Sequence, residues 1–86
     1  DTYHDKIRSA ISEIYDQLVK IDAEHVDNRK TTKFLRLVEK NRLYLPESLY
    51  NDLVNLHDYY VSLQNNGNRD HSFEEDIIHG LKKLYD

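Results

Sequence analysis

Eighty-six residues with twelve bases, sixteen acids and no cysteine make one small domain of net charge −4. A chain this short buries only about three-fifths of its unfolded surface, and without thiols it has neither a disulfide staple nor a thiolate metal site. No apolar run approaches the roughly 20 residues that span a bilayer, no signal-peptide pattern opens the chain, and the start at Asp1 in place of methionine leaves trimming of some N-terminal residues as an expectation only.

One-third of the residues are charged and only two are glycine, a composition that favours helices. The first apolar series, Ile7, Ile11, Ile14, Leu18 and Ile21, steps by four and three along one helix face, with Ala10 and Tyr15 broadening it. It predicts a helix over about 3–21, with Thr2 as N-cap and Asp5 in the first turn. Residues 22–30 lose the periodicity, and Asp27 and Asn28 favour caps and turns, so a loop is expected there.

The second helix is expected over about 30–42, with Phe34, Leu35, Leu37 and Val38 inward. Arg29, Lys33, Arg36 and Lys40 fall on its opposite side, within an arc of roughly 60° at 100° per residue. Pro46 forces Leu45 out of the α region and suits the first position of a third helix, about 46–64. That helix carries Leu49, Leu53, Leu56, Tyr60 and Leu63 at core spacing, flanked by Tyr50, Val54, His57 and Val61. Asn65, Asn66, Gly67 and Asn68 form the clearest loop, where Gly67 supplies a left-handed helix end. Ser72 with Glu75 has capping-box spacing and opens a fourth helix, about 73–85, with Phe73, Ile77, Ile78, Leu81, Leu84 and Tyr85 on its core face. Four amphipathic helices with short connections predict an all-α, antiparallel up-down four-helix bundle in one domain, 1–86.

Charge is unevenly placed. Residues 1–27 have net charge −4, residues 28–46 have +5 with Glu39 as the one acid, and residues 47–86 have −5. The basic block can meet phosphates, an anionic membrane or an acidic protein, or it can be a solvated face paired with acids on neighbouring helices. The net acidic charge argues against nucleic acid.

No reactive constellation emerges. His4, His25, His57, His71 and His79 include no pair three or four apart on one helix, so no metal site is expected. His57 reads as an edge-of-core residue and His71 as a solvent-exposed loop residue. Tyr59 and Tyr60 read as an edge aromatic and a core aromatic. The carboxylates are scattered, with no sign of the burial or like-charge pairing that shifts a catalytic pKa. Neither enzymatic activity nor a cofactor is expected, and binding is the remaining mode of action.

The order of features resembles the enterocin A immunity family, small proteins that protect producers of pediocin-like bacteriocins. The similar stretches are Ile11-Ser12-Glu13-Ile14-Tyr15, Leu49-Tyr50-Asn51-Asp52-Leu53-Val54, the Tyr59-Tyr60 pair, and Phe73-Glu74-Glu75-Asp76-Ile77-Ile78 with Leu81. The resemblance implies a cytoplasmic bundle from a Gram-positive bacterium. It implies a non-catalytic partner, either a mannose phosphotransferase permease that serves as bacteriocin receptor or the bacteriocin–receptor complex itself. It also links the C-terminal half to the choice of bacteriocin. On that basis Arg29, Lys33, Arg36 and Lys40 are expected near the membrane surface. Asn66, Asn68, Arg69, Asp70 and His71 are expected to recognise the partner, with the chain a monomer or weak dimer. A helical dimerisation or regulatory module is the alternative.

Overall fold

The structure, a computed structural model, describes residues 1–85. It contains α1 (Thr2–Leu18), α2 (Asn28–Lys40), a single 3₁₀ turn (Arg42–Tyr44), α3 (Glu47–Gln64) and α4 (His71–Tyr85). Helices adjacent in sequence pack side by side and α1 closes against α4, giving the antiparallel four-helix bundle that the apolar spacing predicts. Its core is Ile11, Ile14 and Leu18 of α1, Phe34 and Val38 of α2, Leu45, then Leu49, Leu53, Leu56 and Tyr60 of α3, with Ile77 and Leu81 of α4. Leu35, expected inside, is only half-buried, and Thr31 takes the buried place one turn earlier by donating its hydroxyl to the Asn28 carbonyl at 3.0 Å. Leu84, expected on the core face of α4, is 47 % exposed, and the side chain of Tyr85, expected there too, lies outside the described residues.

Helix ends depart from the expected positions for local reasons. Asp1, not Thr2, caps α1 by accepting from the His4 N–H at 3.0 Å. At the other end the Lys20 and Ile21 N–H groups donate three residues back, to Gln17 and Leu18, and Asp22 accepts from the Glu24 N–H at 2.9 Å. That side-chain turn competes with helix continuation, so α1 stops before Ile21. Asp27 caps α2 through the Arg29 N–H at 2.8 Å, which starts the helix two residues early. At its end the Asn41 amide donates back to the Leu37 carbonyl at 2.8 Å, and the chain tightens into the 3₁₀ turn. Pro46 occupies the cap position of α3 with ψ 143°, not the first helical position.

The end of α3 contains a further correction. Asn66, not Gly67, adopts the left-handed conformation, with φ 68°. The Gly67 N–H then returns to the Ser62 carbonyl at 2.7 Å, closing a Schellman-type end. A Cβ on Gly67 would meet that same oxygen at 2.7 Å, so glycine is required by close approach and not by its φ. Asp70 caps α4 by accepting from the Phe73 N–H at 3.0 Å. This places Ser72 inside the first turn, so it caps nothing, and it puts His71 on the helix.

The helices are offset along the bundle axis. The molecule is 44 Å long, whereas its longest helix, at 18 residues, rises about 27 Å. Ile78 of α4 lies level with Leu18 and Val19, and the Lys82 ammonium sits 5.7 Å from the Tyr15 ring centroid. The end of α4 therefore reaches only about halfway down α1. The first turns of α1 pack instead on the 3₁₀ turn, where Tyr3 meets Tyr44 edge-on at 6.4 Å.

Candidate functional site

Two surfaces carry the residues singled out from the sequence, and they behave differently. On α2, Arg29, Lys33, Arg36 and Lys40 are all exposed along one side of the helix. Lys40 reaches across to α1, its Nζ 3.3 Å from Glu13 Oε2. The same carboxylate accepts from the Asn41 amide at 2.9 Å. The Asn41 bond is the main cause that holds the Glu13 carboxyl below its usual range; burial opposes it, and the hydrogen bond and charge of Lys40 and the charge of Lys33 add smaller lowering effects. Lys33 also borders a shallow groove with Glu13, Asp16 and Lys20 of the α1 side. Part of the stripe is thus matched by acids on the neighbouring helix. Among the described residues no ion pair involves Arg29 or Arg36.

The segment before α4 is more constrained than a surface loop. Arg69 donates from Nε to Glu74 Oε2 at 2.9 Å and from Nη2 to Oε1 at 3.2 Å. Its Nη1 lies 3.8 Å from Glu24, on the α1–α2 connection, and its Nη2 lies 3.2 Å from His71 Nδ1. The Tyr59 hydroxyl of α3 donates to Glu74 and accepts from the Asp70 N–H at 2.8 Å. Glu74 is only 8 % exposed, so the carboxylate at the centre of this network is buried and fully answered. The Glu74 bond pushes the Arg69 pKa upward. Burial is the main cause that raises the Tyr59 hydroxyl, and Glu74 adds to it.

Arg69 and Asp70 therefore have structural work. Arg69 ties three elements together and Asp70 caps α4. Asn66 and Asn68 are exposed, and His71 is exposed at the first turn of α4. Beside the network an open depression is bordered by Leu18, Ile21, Glu24, Tyr60, Arg69 and Ile78. Burial, with a further contribution from Glu74, pushes the Tyr60 hydroxyl up to about 12. Tyr59 packs against Phe73 at 5.1 Å and Tyr60 at 5.6 Å, so its ring closes the core edge and leaves no stacking face open on that side. The His57 side chain is 15 % exposed with Nδ1 3.1 Å from Asp58, as expected of an edge-of-core histidine.

Among the described residues no three histidines or carboxylates are grouped to hold a metal ion, and no helix is long and apolar enough to cross a membrane. No protein-family model, curated protein or solved structure matches the chain. Glu74 and Tyr59 were not legible as a pair. They lie fifteen residues apart on different helices, and the one available signal was an arginine followed by an acid at the fifth position, which is not helical spacing.

Proposed function

We propose that this chain is a bacteriocin immunity protein of the enterocin A type. It binds the bacteriocin receptor, a mannose phosphotransferase permease, or its toxin complex from the cytoplasmic side, without catalysis. The quoted stretches support this, because Ile11, Ile14, Leu49, Leu53, Tyr60, Ile77 and Leu81 within them are the positions that build the core. The observation that carries the reading is the anchoring of the 65–70 segment at both ends, by the Asn65 and Gly67 N–H groups on the Ser62 carbonyl and by Arg69 and Asp70 on Glu74 and Tyr59. A segment held in this way presents Asn66 and Asn68 in a fixed arrangement, which lowers the ordering cost of binding. It lies in the half of the chain that the resembled family uses to choose its toxin.

The basic side of α2 is the second contact, facing the membrane surface around the permease. Arg29 and Arg36 contribute most there, because Lys40 and Lys33 are partly answered by Glu13.

Expression in a strain sensitive to pediocin-like bacteriocins, challenged with a panel of those toxins, tests the assignment. Resistance to a subset of the panel is expected, and undiminished killing by every toxin rejects the reading. Changing Asn68, together with Asn66→Gly, which keeps the left-handed end of α3, should alter which toxin is resisted while leaving helicity unchanged.

A further inference from the structure

The most exposed large apolar side chain is Leu43, at 86 %, on the tip of the turn joining α2 to α3. Tyr44 follows it, and Tyr3 beside Tyr44 is 58 % exposed. Cations flank these rings, with Lys6 5.7 Å from the Tyr44 centroid and Arg42 4.3 Å from that of Tyr50. Leu43 lies in the 3₁₀ turn that follows Lys40, the last residue of α2 and of its basic stripe. The outer side of α2 thus carries four bases, and the turn at its C-terminal end adds a bare leucine, with Tyr44 and Tyr3 of α1 beside it.

We propose that this side is a docking surface for an anionic lipid bilayer, with the bases on the headgroups and Leu43 inserted between them. Charge complementarity favours that occupant. Residues 28–46 hold six bases and one acid, Glu39, and Glu39 is engaged by the Tyr50 hydroxyl at 2.5 Å. Glu13 and Asp16 of α1 border the stripe and temper it without reversing its sign. A lone protruding leucine has no groove around it to match a shaped protein pocket, whereas a fluid interface accepts it, and tyrosine rings with polar tips suit the headgroup level. A second copy related by a two-fold axis would set bases against bases. Two exposed apolar side chains, Leu43 and Tyr3, with the half-buried Tyr44 also fall far short of the roughly 1,200 Å² or more that a stable interface buries.

The surface extends the reading of α2 as the membrane-facing side and rests on it. Lipid binding is nevertheless measured without toxin, so its failure is distinct from a failure of protection. The full chain is sedimented with vesicles of phosphatidylcholine containing phosphatidylglycerol, and with vesicles of phosphatidylcholine alone. Binding to the anionic vesicles only, weakening as salt is raised, is expected. Leu43→Asp, and separately Arg29→Gln with Arg36→Gln, should each reduce partitioning about tenfold with unchanged circular dichroism. The chain has no tryptophan, so a Leu43→Trp variant reports its own site, and its emission should shift to the blue on anionic vesicles. Absence of binding at low salt, equal binding by Leu43→Asp, or an unshifted emission in the vesicle-bound state overturns the proposal. So does concentration-dependent self-association that Leu43→Asp abolishes, which would assign the surface to a second copy.

Discussion

Arg69 grips both carboxylate oxygens of Glu74, at 2.9 and 3.2 Å, although only Glu74 lies within α4. The pair is a clamp between a helix and the segment leading into it, and Tyr59 extends the clamp to α3. Its value depends on the carboxylate being buried while the guanidinium stays partly wet.

Removing Arg69 should therefore cost more than removing an exposed base. Arg69→Met leaves Glu74 buried with the Tyr59 hydroxyl alone, and a loss of about 1–3 kcal/mol is expected. Glu74→Gln combined with Arg69→Met should recover part of that loss, because no uncompensated charge remains. Urea denaturation of the single and double variants gives the coupling, and additive losses would rule out the clamp.

Tyr59→Phe deletes the hydroxyl that links Glu74 to the Asp70 N–H and should cost about 1–2 kcal/mol. The loss should be local. Amide exchange at Asp70 and in the first turn of α4 should quicken well before that of Leu53 or Leu56, and uniform acceleration would count against this account.

Alkaline pH should weaken the fold. Tyr60 is raised from the ordinary 10.0 to about 12, and Tyr50 and Tyr59 are also raised. The native state then holds protons that the unfolded chain releases, so this stability is complete below about pH 10 and is lost as pH climbs toward 12. Urea midpoints measured between pH 8 and pH 11.5 (roughly the span of the tyrosine range) should fall at the upper end, and a Tyr60→Phe variant should flatten that fall.

At the acid end Glu13 works in the opposite sense. Its depressed pKa makes it a source of stability that is present above the ordinary carboxylate range and fades as pH drops through its native value. Asn41→Ala removes the largest cause of the depression, so the Glu13 carboxyl should titrate closer to its usual range when followed by carbon NMR. An unmoved titration would mean that Lys40 and Lys33 suffice.

The two glycines should respond with opposite signs. Gly67→Ala drives a Cβ to 2.7 Å from the Ser62 carbonyl oxygen and should destabilise by about 1–2 kcal/mol. Gly80 lies within α4 with nothing within 4 Å of a built Cβ, so Gly80→Ala should stabilise by about 0.5–1 kcal/mol. Melting temperatures that both fall would contradict the Gly80 argument, and ones that both rise the Gly67 argument.

The bundle was legible because its core is written in local spacing. Leu49, Leu53, Leu56 and Tyr60 announce one buried face with no knowledge of the partner helices, and all four are buried. Helix starts were less legible. Asp1 and Asp70 cap α1 and α4 where Thr2 and Ser72 were expected, and Asp27, read as favouring a cap or turn, caps α2 ahead of its expected start near residue 30. Aspartate binds the exposed N–H groups at least as well as serine or threonine, and each sits just ahead of the apolar periodicity. The Arg69–Glu74 clamp and the Glu13–Lys40 contact are set by how the chain turns between helices. Periodicity describes one helix at a time and is silent on such pairings. Leu43 escaped notice for the converse reason, since it interrupts no pattern and only its exposure makes it unusual.

The offset between the helices turns the molecule into a short ruler. Leu43 and residues 65–70 lie at opposite ends of α3, separated by its full rise, about 27 Å. The α2 stripe runs parallel to that length, so a chain resting on its bases lies flat and does not stand upright. Its far tip would then hover at phosphate height, within touching range of the short loops of an integral protein and well beneath any tall extramembrane domain.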